Sequence, residues 1–213
     1  TLSHGLPTQQ VDAGRLLRSL GYEHVRSFYQ MRIEMVNQPP QPVLPEGIVI
    51  RSMVAGQEER AVVAAVMDAF RDHWGFVEEP FEQRYQRTMA RVANDPYYDP
   101  ALWFVAMAGD EVAGFSLCTP HSEEDEQMGW LDQLGVRRPW RRSGLGLALL
   151  YHTFGEFYRR GFTKVGLGVD ASSLTGATRL YERAGMHVAR QYMTFEKELR
   201  SGRELGTQTV AEG

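Results

Sequence analysis

Glu58 to Phe70 (EERAVVAAVMDAF) spaces its apolar residues as one face of a helix, and Phe81 to Val92 repeats that spacing with charge opposite. GIVIRSM, from Gly47, reads as a strand. ALWFVAMAG and EVAGFSLCTP are apolar runs on either side of Gly109-Asp110, a pair that favours the tight turn of a hairpin. Past the acidic stretch Glu123 to Gln127, Trp130 to Val136 reads as a strand and Gly144 to Arg160 as a helix. Lys164 to Asp170 follows as a buried strand, Thr175 to Ala184 as a helix stopped by Gly185, and Tyr192 to Leu199 as a closing strand. Strands and helices in this order predict an α/β domain with a mixed sheet over residues 48–200.

Residues 38–47 (QPPQPVLPEG) hold four prolines, which forbid helix and favour an extended linker. Upstream, Arg15 to Met35 can be laid on Arg179 to Leu199. Arg15/Arg179, Leu16/Leu180, Gly21/Gly185, Arg26/Arg190 and Glu34/Glu198 are identical, and both copies read helix, glycine stop, strand. Residues 1–37 are therefore expected to be the remnant helix and strand of a preceding, related domain. That segment should dock on the main domain or on a second copy in a homodimer, because its own partner strands are missing. The polar tail, residues 201–213, is expected to be disordered. Thr1 rather than methionine at the start suggests trimming or processing.

The 213 residues are 43% hydrophobic and 23% charged, values typical of a folded water-soluble chain. A net charge of −4 gives no reason to expect nucleic acid, and no apolar run is long enough to span a bilayer. Cys118 is the only cysteine, which excludes an intrachain disulfide and suits the cytoplasm. Its apolar setting, GFSLC, points to a buried structural thiol. His73, His121 and His152 have no metal-ligand spacing, so no metal is expected.

The chemistry concentrates in LGVRRPWRRSGLGLALL, Leu134 to Leu150. Strand, basic turn, Gly-x-Gly and helix succeed one another. Glycines let an anion approach the backbone, and the first amides of a helix lack internal partners and point outward. A diphosphate is expected on the amides of Arg142, Ser143, Gly144, Leu145, Gly146 and Leu147, with Arg137, Arg138, Arg141 and Arg142 adding mobile positive charge.

These residues resemble the GNAT N-acetyltransferases. Arg141, Gly144 and Gly146 fall on the family's acetyl-coenzyme A signature, and Leu180, Tyr181 and Glu182 on its second hallmark helix, with strand Lys164 to Asp170 between them. The duplicated segment, the HWG loop and VDASSLTGATRLYERAGM look most like the tandem-domain branch that includes mycothiol synthase, of which this would be the C-terminal domain. The resemblance implies a central sheet with two splayed parallel strands, flanked by helices. It implies acetyl-coenzyme A as co-substrate, entering beside Leu134, with the N–H around Val136 holding the oxyanion. Gly135 is expected to supply the bulge that opens the strands. Gly166 and Gly168 would keep one wall thin.

By the same resemblance, Tyr181, at the start of its helix, would protonate or hydrogen-bond the leaving sulfur. Asp132, on the same strand face as Leu134 and Val136, is the candidate base, acting through water. Ser173 stands where relatives commonly carry asparagine, to contact the pantetheine arm or cap the helix. Asp170 is read as a possible cap for that helix. The Asp72-His73-Trp74 loop lies where an acceptor pocket should form, so His73 and Trp74 are candidate substrate contacts. The expected activity is acetyl transfer from acetyl-coenzyme A directly to a small-molecule amine. Mycothiol synthase-type acetylation of a cysteinyl pseudodisaccharide and a non-catalytic acyl-coenzyme A binding module are the alternatives. A dinucleotide oxidoreductase built on GLGVD is a third, disfavoured alternative, because the third glycine and the strand–turn–helix context are missing.

Overall fold

The computed structural model describes residues 1–122, 125–173, 175–201 and 206–207. Strands β1 (Leu2–Pro7) and β2 (Glu23–Glu34) flank helix α1 (Val11–Ser19), and β3 (Ile48–Ser52) follows the proline-rich linker. Helices α2 (Glu59–Phe70) and α3 (Phe81–Asn94) precede the hairpin β4 (Trp103–Ala108) and β5 (Glu111–Thr119). Then come β6 (Met128–Val136), α4 (Leu145–Arg159), β7 (Lys164–Asp170), α5 (Ala177–Arg183) and β8 (His187–Lys197). The strands form one mixed sheet in the order β1-β8-β2-β7-β6-β5-β4-β3, antiparallel except for the parallel pair β6–β7.

Both sides of the sheet's centre are covered, which is why β5 reads as a continuous apolar run: Val112 to Cys118 are all buried. On one side α4 turns a stripe of Leu150, Phe154 and Phe157 onto Cys118, Leu131 and Leu167. On the other, Val62, Ala65 and Ala69 of α2 meet Val105, Phe115 and Leu117. Burying each of the larger side chains contributes roughly 1.5–3 kcal/mol. Cys118 is sealed, with Ser116 Oγ 3.6 Å from its sulfur, and Ser116 and Thr153 share a buried 2.7 Å hydrogen bond.

The duplication seen in the sequence is a duplication of structure. The units β1-α1-β2 and β7-α5-β8 interleave, so β2 sits between β7 and β8, and β8 between β1 and β2. Their hydrogen bonds correspond. Thr8 N–H donates to Gln191 O at 2.9 Å, and Ala171 N–H to Ser27 O at 3.0 Å. Tyr22 N–H donates to Leu17 O, and Met186 N–H to Tyr181 O, both at 3.0 Å. Gly21 (φ 80°) and Gly185 (φ 93°) end the two helices in the left-handed conformation that only glycine adopts cheaply. The helix-and-strand pattern of residues 1–37 does not reveal β1, whose LSHGLP lacks alternation and β-branched residues. The tail from residue 201 lies mostly outside the described residues. Thr207, which is described, exchanges backbone hydrogen bonds with Gly75 and Phe76 at 2.7 and 2.9 Å.

Gly135 and Gly168 make a matched test of packing. A Cβ at Gly135 would lie 2.3 Å from the Phe115 ring, whereas one at Gly168 meets nothing within 4 Å. Gly135→Ala should lower stability by about 1–3 kcal/mol, read from denaturant midpoints. Gly168→Ala should leave it unchanged or slightly raised. Equal losses in both would contradict the packing described.

Candidate active site

The site begins where two strands part. β6 and β7 pair from Met128↔Lys164 to Leu131↔Leu167 and no further. On the other edge of β6 the register slips: Leu117 faces Gln133 but Cys118 faces Leu131, which leaves Asp132 as the extra residue of a β-bulge. The bulge is therefore at Asp132 and not at Gly135. Gly135 is small for a different reason, the Phe115 ring that occupies the space of its Cβ. The bulge also overturns the expected facing. Leu131 and Leu134 both join the core on the α4 side, and Asp132 turns with Trp130 to the opposite side.

Past the bulge, β6 has one edge on β5 and the other on the gap. Arg137 N–H donates to Ala113 O at 2.9 Å, so strand alternation sends the N–H groups of Leu134 and Val136 into the gap.

The turn after β6 is held from below. Asp72, beyond the end of α2 and only 3% exposed, accepts from Arg138 (2.5 and 3.2 Å) and from Arg141 (2.5 Å). Arg141 also donates to Val136 O and Ala69 O, each at 3.0 Å. Arg137 donates to Asp68 at 2.8 Å and more distantly to Glu111. The expected mobile charges at Arg137, Arg138 and Arg141 are thus fixed in ion pairs. Their side chains shape the turn, and Arg142 is the one arginine of the four without a carboxylate among the described residues. Sequence spacing marked the arginines but gave no sign of Asp72, which pairs with them across 66 and 69 residues.

What the turn offers a ligand is backbone. The N–H groups of Arg142, Ser143, Gly144, Leu145 and Gly146 have no acceptor among the described residues, while Leu147 N–H is spent on Gly144 O at 3.1 Å. Arg142 adopts φ 63° and Gly144 φ 89°, left-handed positions that turn successive amides toward one point. For arginine that conformation costs roughly 1–2 kcal/mol. Ser143 Oγ donates to Trp140 O at 2.7 Å. Gly146 is small because a Cβ there would meet Leu180 at 3.1 Å, so the two sequence hallmarks pack on each other.

Tyr181 approaches from α5, at the fifth of its seven positions rather than at its start. It is 8% exposed, and burial pushes its phenol up to about 12. Its hydroxyl has no hydrogen-bond partner among the described residues. Ser173 Oγ lies 3.1 Å from Thr175 Oγ1 and accepts from Ala177 N at 3.4 Å, at the entry to α5. Asp170, the possible cap of that helix, instead holds Arg26 at 2.6 Å and accepts from Ser172 N–H.

On the side that Asp132 faces, a cavity of about 850 Å³ opens onto the gap at Gly168. Phe28 and Tyr29 of β2, Tyr97, His121, Trp130 and Tyr192 form much of its wall. Asp132 is exposed to the cavity, and desolvation by the protein around it pushes its carboxyl up to about 6 against a hydrogen bond from Thr119. His73 and Trp74 are not in this wall. His73 meets Phe70 in a tilted pair at 4.2 Å and Trp74 lies under the Arg26 guanidinium at 4.8 Å, beside Asp170. His121, which its spacing leaves unremarkable, is in the wall, its Nδ1 3.1 Å from Ser122 O. Among the described residues no group of three or more His, Cys, Asp or Glu side chains converges as a metal site, and no helix is long and apolar enough to cross a membrane.

Asp72 yields a pH prediction. Its arginine partners hold the carboxyl at about 2 against an ordinary 3.8. A depressed acid stabilises the fold above its unfolded pKa, and that share is lost as pH falls through the folded one. About 2 kcal/mol should disappear between about pH 4 and pH 2. Asp72→Asn should lose a similar amount at pH 7 and show a flatter acid limb in urea unfolding. An unchanged limb would contradict the anchoring role.

Residues 63–186 match the sequence profile of the acetyltransferase (GNAT) family. The chain is 33% identical over 189 residues to mycothiol acetyltransferase of Streptomyces scabiei, covering 88% of this chain and 56% of that one. It is 34% identical over 179 residues to the Salinispora arenicola protein of the same name, covering 81% and 55%. It spans little more than half the length of these curated relatives. A crystal structure of a GCN5-related N-acetyltransferase from Sphaerobacter thermophilus superposes with TM-score 0.78 at 40% identity, over 95% of this chain and 61% of that one. With the signature turn, the Leu-Tyr-Glu helix and the parted strands all in place, the chain belongs to the GNAT acetyltransferase family.

Proposed function

We propose that this chain is an acetyl-coenzyme A dependent N-acetyltransferase that passes the acetyl group directly to the amine of a small molecule. The observation that carries this reading is the gap between β6 and β7, with unpaired backbone along it, a cavity on one side and Tyr181 on the other.

The residues fit the co-substrate. Five amides without acceptors, from Arg142 to Gly146, and the positive end of α4 suit a diphosphate, with Arg142 as its mobile cation. The inner edge of β6 at Leu134 suits the amide groups of a pantetheine arm, and Ser173 stands at the entry to α5 beside it. When bound, acetyl-coenzyme A supplies an activated thioester. Val136 N–H then donates to the carbonyl oxygen as negative charge grows there, a preorganised contact worth roughly 3 kcal/mol in other acyl transfers.

Asp132 receives the acceptor's proton, directly or through water. An ordinary carboxylate near 4 is a poor base for an ammonium. At about 6, Asp132 is the better base. Tyr181, at about 12, cannot hand its proton fully to a thiolate of reference pKa about 8.5 without a cost of roughly 5 kcal/mol. It therefore acts as a hydrogen-bond donor to the departing sulfur. Cys118 takes no part, because burial pushes its thiol up to about 12 and seals it from the cavity, so no acyl-enzyme is formed. His73 and Trp74, beside Arg26 and Asp170, would act on the acceptor only as the rim of the gap.

A second reading, acetylation of a mycothiol precursor, is favoured by the names of the relatives and by a cavity roomy enough for a sugar-sized acceptor.

Thiol release from acetyl-coenzyme A across a panel of amines tests the reading. The kcat/KM should rise as pH increases through about 6, where Asp132 ionises, and Asp132→Asn should lack that limb. Tyr181→Phe should lower kcat by about 10²-fold with little change in co-substrate affinity. If the co-substrate raises the Tm but no amine releases thiol, the chain is a binding module instead.

A further inference from the structure

We propose that the acceptor is an oligocationic amine, a molecule with at least two ammonium groups, held in the cavity beside the β6–β7 gap. The inference rests on the acetyltransferase reading for what happens at the reacting amine.

Three carboxylates line the cavity from three separate elements: Asp95 at the end of α3, Glu126 ahead of β6, and Asp132 on the bulge. None has an ion-pair partner among the described residues. Asp95 Oδ1 accepts only the Tyr97 N–H, at 2.9 Å. Around them the chain neutralises its acids with care. Asp170 is paired with Arg26 at 2.6 Å, Asp125 with Lys164 at 3.3 Å, and Asp99 with Arg160 at 2.5 Å. Among the described residues no lysine or arginine lines the cavity. Arg91, whose charge reaches Asp132, lines a separate groove beneath α2 and α3 with Arg84 and Arg87. His121 also stands in the wall, its Nδ1 donating to the Ser122 carbonyl at 3.1 Å.

The walls between these acids are aromatic. Trp130 packs against Gly166, where a Cβ would come within 2.7 Å of its ring. Tyr97 meets His121 edge-on at 4.0 Å, and Phe28 and Tyr192 add further faces. Carboxylates without counter-ions and electron-rich ring faces both favour ammonium over neutral or anionic groups. One ammonium at the gap answers Asp132 alone. Asp95, whose charge already repels that of Asp132, and Glu126 call for a second, and about 850 Å³ leaves room for the body that links them.

Calorimetric titration of the cofactor-free chain compares four probes: spermidine as a linear oligoamine, neamine as a ring-built one, butylamine as a monoamine, and 4-aminobutyrate. At least one of the first two should bind tenfold or more tightly than butylamine, with 4-aminobutyrate weakest. Which of the two leads tells whether the natural body is linear or cyclic. The double variant Asp95→Asn, Glu126→Gln should erase the tenfold preference. Butylamine binding as well as both oligoamines, as a singly charged cysteinyl sugar would require, overturns the proposal, as does a preference that survives the double variant. Thiol release with acetyl-coenzyme A, run on the same probes, separates the two readings. Oligoamines that bind with the preference yet release no thiol refute the acetyltransferase reading and leave the cation site standing.

Discussion

Everything distinctive about this chain follows from one interruption in hydrogen bonding. Strands β6 and β7 pair as neighbours for four residues and then separate, because the residue inserted at Asp132 bends β6 away after Leu131. A parallel pair that ran on to Val136 would be a better sheet and a useless one. The gap exposes the N–H groups of Leu134 and Val136 to whatever enters, brings Gly168 to the edge of an open cavity, and carries Asp132 into the wall of that cavity. Core packing on either hand holds the strands apart. Leu131 and Leu167 are locked against α4, and Gly135 is locked against Phe115, so the gap cannot close by sliding.

The turn beyond the gap shows how charge is divided between structure and function. Four arginines precede α4, yet three are consumed by Asp68, Asp72 and Glu111. These pairs tie the turn to α2 and let Arg142 take a left-handed backbone position that it would otherwise resist. Free amides, rather than side chains, are what remains to meet an anion. The interleaved units β1-α1-β2 and β7-α5-β8 do similar work on the other side. By inserting β2 beside β7, the segment upstream of the linker supplies Phe28 and Tyr29 to the cavity beside the gap. The place of Tyr181 is taken in the upstream helix by Leu17, so only one of the two copies carries a phenol at that helix position.

Much of this was legible in sequence. The hairpin at Gly109-Asp110, the helices with apolar stripes and the strand–turn–helix at Leu134 to Leu150 are local patterns, and local physics decides them. What escaped is long-range or singular. A bulge adds one residue to a register and leaves no mark in composition, so strand alternation alone sets Asp132 on the wrong face and gives the bulge to Gly135. Asp72 is one acid among many until folding sets it against Arg138 and Arg141. His121 has no spacing to flag it, and it joins the cavity only because β5 and β6 meet there. The strand β1, short and carrying Gly5 and Pro7, owes its conformation to the edge of β8 rather than to its own residues.

Amide hydrogen exchange with and without coenzyme A tests the central claim most directly. The account predicts slowed exchange at Leu134 and Val136 and across Arg142 to Gly146, the amides left without protein acceptors, and little change in the α2–α3 groove. Exchange at those seven amides that is indifferent to coenzyme A, with protection appearing elsewhere, would contradict it.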